Sequence, residues 1–481
     1  MPVGDATEFE TLLSQGQARR LAGHLDEAAR HLDAAIQLNP NSVPALMERG
    51  LLHQQQAQWT EARECFTRVQ TVQPDNPQIL DAIGHTWQAQ LDFDQAIAHW
   101  QRAVELKPDY ADVWQNLGLA HEHRDELPEA IACHQQAATL RPEQSKAHRL
   151  LGSAQLDFGV LPAAQKCFDR ALELAPDDPE AIWQRFFLRA LTGDFPGAWA
   201  DYECRFQLPG RTTPDPQFTA PHWNGEPLPA GQTLLLHAEQ GFGDTLQMIR
   251  YAPRAAERAG RILLWVPAPL RELLATARGV DEVVSTKPSE GTFAAHLPLM
   301  SLPGVFGDSL KNIPNETPYL GNPSPREPGK PMEIGLVWAG SGNQPQDRRS
   351  VALSDLTPLL AVENIEWHSL QLGNAAAEIS GSAWDGAIQN RSVDLTDFAA
   401  TAAVMAELDL ILCVDTAAAH LAGALGRPVW LLLCFAPDWR WGRDGETTPW
   451  YPSARLFRQG HGEGWAVVAG RMADALKVSA A

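Results

Sequence analysis

Five glycines spaced 34 residues apart constrain the first half of this 481-residue chain more than any other feature. Alanines and prolines recur in the same register behind them. The glycines are Gly16, Gly50, Gly84, Gly118 and Gly152, the alanines Ala28, Ala62, Ala96, Ala130 and Ala164, and the prolines Pro40, Pro74, Pro108, Pro142 and Pro176. Antiparallel helices need small side chains where they approach most closely, and proline cannot continue a helix. Because one helix pair cannot bury its apolar face alone, the pattern predicts a stack of pairs.

The period and its markers resemble the tetratricopeptide repeat. The resemblance covers about five repeats, and a degenerate sixth begins near Pro179, keeps Ala198 and has Phe186 where the others have glycine. We therefore predict a tetratricopeptide superhelix over residues 1–208. The resemblance implies that a peptide or another protein binds along the concave face, with spacing or self-association as the alternative role.

Composition excludes several classes of function. The formal net charge is −21, which argues against a nucleic-acid partner. Residues 1–210 carry 30 acidic and 17 basic side chains, so the array is compatible with a neutral or basic protein partner. The six scattered cysteines form no CxxC pair, which disfavours a zinc site and suits a reducing compartment. No signal sequence and no apolar run long enough to cross a membrane is present, so we expect a cytoplasmic protein.

Two proline-rich segments divide the rest of the chain. Residues 209–230 are expected to form a linker or an ordered cover over the next domain. The second segment, Pro314–Pro331, separates two α/β halves, which we place at 231–325 and 326–481. Apolar runs of strand length and helical patterns alternate in both halves, as in a parallel sheet. The strands are predicted at Thr233–His237, Ile262–Val266, Glu282–Ser285, Glu333–Trp338, Glu366–Leu370, Leu410–Val414 and Val429–Leu433, and helices at Ala399–Leu408 and Glu463–Val478.

The segment Leu410–Leu433 reads as strand, helix and strand. Asp415 and Thr416 lie where the first strand ends, and either can cap the helix. The first turn, Ala417–Ala419, carries only methyl groups, and His420 lies on the same helix face as Thr416. The amide groups at such a helix start can hold a diphosphate at the carboxyl edge of a sheet. A buried αβ unit with a capping Asp is the alternative.

This stretch resembles the nucleotide-sugar motif of the heptosyltransferase-like glycosyltransferases of family 9, roughly Asp-Thr-Gly-x-x-His-Leu-Ala followed by Gly-x-Pro. DTAAAHLA and GRP match it, except that Ala417 replaces the glycine. The resemblance implies a GT-B fold of two Rossmann-like domains, so the fold class is α + α/β. It also implies that Asp415, Thr416, Ala417, Ala418 and His420 contact the nucleotide-sugar.

A second motif, Gly241-Phe242-Gly243-Asp244, follows the first predicted strand. From its pattern alone it is a tight turn with Asp244 as a helix cap. The resemblance to family 9 implies instead that Asp244 is the general base, with Gly241 and Gly243 near the donor. His237 and Glu239 are the next candidates for the base.

Other predicted contacts come from loops after strands. Ser341 belongs to a Gly- and Ser-rich loop, and Arg348 or Arg349 is suited to stabilise a departing diphosphate. Gln371 lies at a strand end where a nucleotide base commonly binds. Three further residues belong to an aromatic loop that either lines the donor pocket or packs as a rigid loop: Asp438, Trp439 and Trp441.

Together these features indicate a glycosyltransferase, of hexosyl or heptosyl type, fused to a tetratricopeptide array. The architecture is also similar to that of O-linked GlcNAc transferases. We expect inverting transfer from a nucleotide-sugar to a hydroxyl of a protein or peptide recruited by the repeats. Nothing in the sequence resembles an Asp-x-Asp metal site, so neither a metal nor a cofactor is expected. The alternative is a non-catalytic scaffold with a degenerate nucleotide-sugar-binding domain.

Overall fold

The chain forms two compact units, Met1–Ala181 and Ile182–Ala481. They are seen in a computed structural model that describes residues 3–210, 216–321, 331–340 and 347–480. The division falls inside a helix, Pro179–Thr192, and therefore ahead of the boundary predicted at residue 208.

The first unit is built from consecutive helix pairs, as the repeat pattern predicts. The helices are α1 (Val3–Leu21), α2 (Leu25–Leu38), α3 (Val43–Gln55), α4 (Trp59–Val72), α5 (Pro77–Ala89), α6 (Phe93–Leu106), α7 (Ala111–His123), α8 (Leu127–Leu140), α9 (Ser145–Phe158) and α10 (Leu161–Leu174). A Cβ added at Gly84 would lie 2.5 Å from the Trp100 ring, and one at Gly118 would lie 2.3 Å from the His134 ring. The periodic glycines are therefore required because the partner helix places a large side chain against each of them, a ring at four positions and Leu32 at Gly16.

The turn between the two helices of each pair uses a left-handed residue in the same register. Their φ angles lie between 56° and 89°, and the residues are Gly23, Ala57, Leu91, Asp125, Gly159 and Gly193. Half of these positions are not glycine, so their shared conformation was not visible in the sequence pattern.

The predicted sixth repeat is a helix pair, α11 (Pro179–Thr192) and α12 (Phe195–Tyr202), followed by a 3-10 turn at Glu203–Gln207. Phe186 stands in the glycine register and is fully buried. Its ring packs on those of Tyr202, Trp199 and Trp439 at centroid distances of 4.8, 6.4 and 5.6 Å. The pair is thus joined to the α/β region by aromatic packing in place of a close helix–helix approach.

The first α/β half contains a four-stranded parallel sheet in the order β3-β2-β1-β4. Its strands are β1 (Thr233–His237), β2 (Arg261–Trp265), β3 (Glu282–Val284) and β4 (Ala295–Pro298), and its helices are α13 (Phe242–Met248), α14 (Ala252–Ala259), α15 (Ala268–Leu274) and α16 (Leu302–Val305). The strand β4 was not predicted. Helices cover one face, whereas Phe218 and Ala220 from the proline-rich segment pack on the other. The described part of that segment, 216–230, is therefore a cover over the sheet.

The second α/β half contains a six-stranded parallel sheet in the order β10-β9-β8-β5-β6-β7. Its strands are β5 (Met332–Val337), β6 (Ile365–Ser369), β7 (Ile388–Asn390), β8 (Leu410–Val414), β9 (Val429–Leu433) and β10 (Ala454–Arg458), and its helices are α17 (Phe398–Glu407), α18 (Ala417–Ala424) and α19 (Trp465–Ala480). A 3-10 helix, Leu353–Ala361, packs against α19. The strand order reverses between β5 and β8, and in the first sheet between β1 and β4. Ligands bind open α/β sheets beyond the strand ends at such switch points.

Candidate active site

The start of α18 lies at the switch point of the six-stranded sheet. Thr416 occupies the N-cap position with extended backbone (φ −142°, ψ 175°). Its hydroxyl donates to the carbonyl of Val414 at 3.3 Å, and no side-chain cap is present among the described residues. Thr416 is therefore the N-cap residue, as predicted, but its hydroxyl turns back to the strand and does not cap the first-turn amides. Thr416, Ala417 and Ala418 are partly exposed, so the first turn is open to a ligand.

The starts of α13 and α18 pack directly on each other. A Cβ added at Gly243 would lie 2.7 Å from Cδ2 of His420 and 3.5 Å from Cα of Ala417. The two motifs that the sequence singled out, GFGD and DTAAAH, therefore meet at one place. Residues separated by more than 170 positions are brought together because both follow a strand at the switch point of its sheet.

Asp244 lies in the first turn of α13, and both of its oxygens are engaged. Oδ2 accepts from the backbone N–H of Gly241 at 3.0 Å, which confirms the predicted cap. Oδ1 pairs with Nη2 of Arg440 from the second half. Burial raises the pKa of Asp244, and the Arg440 guanidinium opposes that rise. Burial therefore favours the protonated form of Asp244, and the fixed Arg440 cation favours the ionised form.

Arg440 is the buried centre of this site, with 9% of its side chain exposed. Its Nη1 donates to Oδ1 of Asp438 at 2.9 Å, and its Nε donates to Oε1 of Gln247 at 2.6 Å. This arginine therefore binds carboxylates and an amide from both halves of the second unit. Nothing in the local pattern could identify Asp244 or Gln247 as partners, because they are 196 and 193 residues away.

His420 is buried beneath the start of α18. Its Nδ1 lies 2.8 Å from the hydroxyl of Tyr451, and its ring stacks on Trp441 with a centroid distance of 5.4 Å. Burial lowers the pKa of His420 well below its usual value, which favours the neutral ring. In this arrangement the ring supports the start of α18 by packing.

Three family models match the chain. Two describe tetratricopeptide repeats and cover residues 20–85 and 92–123. The third is glycosyltransferase family 9 (heptosyltransferase), which matches residues 392–464. The chain carries N-terminal tetratricopeptide repeats and a C-terminal glycosyltransferase family 9 domain. The family 9 match runs from the residues before α17 past β10, so it includes the α18 start and Arg440 but not Asp244.

A curated relative, protein FlbA of Caulobacter vibrioides, is 27% identical over 341 residues. The match covers 63% of this chain and 56% of that protein, so the chain spans little more than half of the relative's length. Solved structures similar to the chain include PilF of Pseudomonas aeruginosa, at 16% identity and a TM-score of 0.39, covering 43% of this chain and 95% of that chain. A MamA structure is similar at 24% identity and a TM-score of 0.33, covering 35% of this chain and 92% of that one.

Arg349 reaches the site from the loop after β5. Its Nη1 donates to the carbonyl of Asp415 at 3.3 Å, and its Nε donates to Oδ1 of Asp347 at 3.1 Å. Both arginines left open by the sequence are partly buried, and the structure places Arg349 against the turn before α18. Ser341, a third prediction in this loop, lies outside the described residues.

Asp415 itself is buried at the end of β8. Burial, followed by the nearby carboxylate of Asp438, raises the pKa of Asp415 to about 6. With Asp244 and Asp438, it gives this candidate site three carboxyl groups near the buried Arg440 guanidinium.

Gln371, predicted to lie near a nucleotide base, is used as a structural support. The carboxamide of Gln371 accepts from the N–H groups of Trp338 and Ala339 at 3.0 and 2.9 Å. It donates to the carbonyls of Ala339 and Leu372 at 3.1 and 2.9 Å. These four bonds use the full capacity of a carboxamide. Contact between this side chain and a nucleotide base would require breaking one of them.

The aromatic loop after β9 is packed as a rigid wall. Trp439 is buried against Trp199 and Phe195, with centroid distances of 5.5 and 6.1 Å. Trp441 is buried beneath His420. Neither indole presents a face on which a sugar or base could stack, so of the two roles that the sequence left open for this loop, the structure supports the packed one. Asp438 has a distinct role, since it holds both the backbone N–H and the guanidinium of Arg440.

The two other candidates for the base are also paired. His237 Nε2 lies 3.2 Å from Nδ1 of His296, and burial lowers the pKa of His237 to about 3. Glu239 accepts from Nε of Arg205 at 3.0 and 3.1 Å, and burial raises the pKa of Glu239 to about 6. Both side chains are nine-tenths or more buried, so each is less accessible to an acceptor than Asp244.

The first unit contains a separate candidate surface for a protein partner. An open groove of about 500 Å³ is formed by α1, α3, α4 and α5. Its lining is mostly uncharged and consists of Arg20, Leu51, Gln54, Gln55, Trp59, His85, Gln88 and Ala89. Amide, apolar and aromatic groups of this kind suit the backbone and side chains of a peptide.

Among the described residues, no cluster of three or more His, Cys, Asp and Glu side chains could hold a metal ion. Over the same residues, the structure contains no helix with the length and apolar character needed to span a membrane.

Proposed function

We propose that this protein is an inverting, metal-independent glycosyltransferase that moves a sugar from a nucleotide-sugar to a hydroxyl group of a protein or peptide. The observation that carries the proposal is the contact between the starts of α13 and α18. It places a carboxylate, Asp244, beside the open first turn of a helix in a family 9 domain. The exposed first turn of α18 is suited to the donor's diphosphate.

In the proposed reaction, the acceptor oxygen attacks the anomeric carbon while the bond from that carbon to the diphosphate oxygen breaks. The acceptor proton passes to the Asp244 carboxylate, and the nucleoside diphosphate leaves as an anion. The amide groups at the start of α18 and the Arg349 guanidinium stabilise the charge that develops on the leaving group. The proton on Asp244 then returns to solvent.

The protein acceptor is assigned to the repeats. Their net negative charge favours a neutral or basic segment, and the mostly uncharged groove formed by α1, α3, α4 and α5 provides a place for an extended peptide. Leu51→Glu introduces a charge into this groove, and Leu21→Glu is the matched control because Leu21 is 70% exposed and does not line it. We expect the first change to abolish sugar transfer to protein while donor hydrolysis continues, and the second to leave both intact. Equal transfer in the two variants would contradict the acceptor assignment.

A non-catalytic nucleotide-sugar-binding scaffold is the second candidate. It is favoured by the pairing of Asp244 with Arg440 and by Ala417 in place of the family glycine. A thermal-shift panel of UDP-, GDP-, ADP-, CMP- and dTDP-sugars tests donor binding first. A ligand at a hundredfold excess over its dissociation constant stabilises the folded chain by about 2.7 kcal/mol.

The donor that binds is then used to measure nucleotide release. Asp244→Asn keeps a capping side chain but removes the base, so we expect donor binding to persist and release to fall by about 10²-fold or more. Asp397→Asn is the matched control, because Asp397 caps α17 through the N–H of Ala400 at 2.8 Å and contacts none of the site residues described above. Binding without release in the wild type would support the scaffold, and equal release in both variants would reject Asp244 as the base.

A further inference from the structure

Asp244 and Arg440 lie on different halves of the second unit. Asp244 belongs to α13, which follows the first strand of the four-stranded sheet, whereas Arg440 belongs to the loop after β9 of the six-stranded sheet. Their contact therefore links the two halves at the site of proposed proton transfer.

Arg440 is held too firmly to act as a mobile ligand for phosphate. Asp438 binds its Nη1 from the same loop, and Gln247 binds its Nε from α13, one helical turn beyond Asp244. Its guanidinium also lies over the Trp439 ring at 4.4 Å. The guanidinium is thus fixed on three sides. Its remaining partner is the Asp244 carboxylate, whose orientation it therefore determines.

We propose that Arg440 is a positioning residue that the donor-side half supplies to fix the direction and the ionised state of the Asp244 carboxylate. The inference rests on the proposed function, which assigns Asp244 as the base. Oδ1 faces Arg440 and Oδ2 faces the N–H of Gly241, so each oxygen retains a lone pair for the acceptor proton. The base is complete only where the two halves are together.

Charge explains why a buried base needs this partner. Without a cation, burial would favour the protonated acid, which cannot accept a proton. The titratable and charged groups that influence Asp244, its pair with Arg440 or the neighbouring α18 start come from several elements. They are Arg440 and Asp438 after β9, Glu239 after β1, Tyr202 on α12, Asp415 after β8 and His420 on α18. Arg440 is the cation that pairs with Asp244 itself. The other cations nearby act on its neighbours: Arg349 on Asp415, Arg250 on His420 and Arg205 on Glu239.

The first test is the pH profile of nucleotide release with the donor identified by the thermal-shift panel. Activity requires ionised Asp244, so it falls as the pH drops through the pKa of that group. Arg440→Met removes the cation, so we expect the acidic limb of the pH profile to move to higher pH. We also expect kcat to fall by about tenfold or more, while KM for the donor changes little. Arg440→Lys restores the positive charge but lacks the forked donors of a guanidinium. It should therefore return the acidic limb of the pH profile toward wild type while kcat stays low.

The control is Arg458→Met. Arg458 supports the same loop from β10 by donating to the carbonyls of Gly442 and Gly445, both at 2.8 Å, but it contacts no carboxylate of the site. If loosening of the loop caused the effect, this variant would reproduce it. An acidic limb that is unmoved in Arg440→Met, or moved equally in Arg458→Met, overturns the inference.

A second measurement separates this inference from the proposed function, because it needs no donor. Hydrogen exchange in residues 242–248 is compared for Asp244→Asn, Arg440→Met and the double variant. If the two groups act as one unit, each single change should accelerate exchange by about tenfold, and the double change should add little. If the two single effects on the exchange rate multiply in the double variant, the pairing is refuted even in an active enzyme. If the double variant exchanges no faster than the single variants and no nucleotide is released, the pairing is retained and the enzymatic role is rejected.

Discussion

Replacing Gly243 by alanine tests whether the contact between α13 and α18 builds the site. The added Cβ would lie 2.7 Å from Cδ2 of His420, whereas carbon atoms in contact normally lie about 3.5–4.0 Å apart. His420 cannot easily yield, because its ring stacks on Trp441 and bonds to the Tyr451 hydroxyl. The two helices must therefore separate by about 1 Å.

The expected cost follows from two opposing effects. Overpacking of a well-packed contact costs about 1–3 kcal/mol. Alanine also favours a helix over glycine by up to about 1 kcal/mol, which offsets part of that cost. The net destabilisation of the contact is therefore about 1–2 kcal/mol. It should also separate Asp244 from Arg440, since Asp244 is the next residue on α13.

Hydrogen exchange measured by mass spectrometry on the full chain reports this local change directly. A loss of 1–2 kcal/mol corresponds to exchange about 5–30 times faster. We expect the acceleration in both 242–248 and 417–424, because one contact stabilises both helices. Nucleotide release should fall in parallel.

Gly241→Ala is the matched control. A Cβ at Gly241 would meet only Oδ2 of Asp244, at 3.2 Å, and the backbone φ of −62° suits any residue. This change weakens the helix start by about 0.5 kcal/mol and should affect α13 alone. Faster exchange of 417–424 in Gly241→Ala, or unchanged exchange there in Gly243→Ala, would refute the packing argument.

Three further predictions concern stability. Leu91→Gly should stabilise the repeats by about 1 kcal/mol in urea unfolding, because Leu91 is left-handed (φ 63°) and 71% exposed; a lower midpoint would contradict this. Gly84→Ala should destabilise them by about 2 kcal/mol, because its Cβ would lie 2.5 Å from the Trp100 ring, and an unchanged midpoint would mean that the ring can move. The pKa of Glu239 is raised from 4.5 to about 6, so its ionisation disfavours the folded state, and stability is lost as the pH rises through that range. Glu239→Gln should remove about 2 kcal/mol of this pH dependence in melting curves, whereas identical pH profiles would show that Arg205 compensates fully for burial.

Local regularities made most of the fold predictable. The glycine period predicted the helix pairs, because a missing side chain at a fixed interval has one simple packing explanation. The strands Thr233–His237, Leu410–Val414 and Val429–Leu433 have the predicted bounds, since each is a continuous apolar run between a polar turn and a loop. The short strand β4 and the edge strands β7 and β10 were missed because none of these runs is distinctly apolar over its length.

Pattern also located the two halves of the candidate site. Both GFGD and DTAAAH follow an apolar strand, and strand ends at a switch point are where side chains converge. Residue type left both a binding and a packing role open for Trp439, which is buried by packing, and Gln371, predicted to lie near a nucleotide base, has all four hydrogen-bonding positions of its carboxamide filled. Residue type alone cannot separate a binding group from a packing group, because the same chemistry serves both.

The sequence by itself therefore determined the repeat array, the parallel sheets and the two motifs, because each depends on residues that are close along the chain. Tertiary structure decided what those motifs contact. The pairing of Asp244 with Arg440, and the contact of Gly243 with His420, depend on how two separately formed sheets pack together. Such pairs leave no periodic trace in the sequence, since burial and charge are properties of the packed unit.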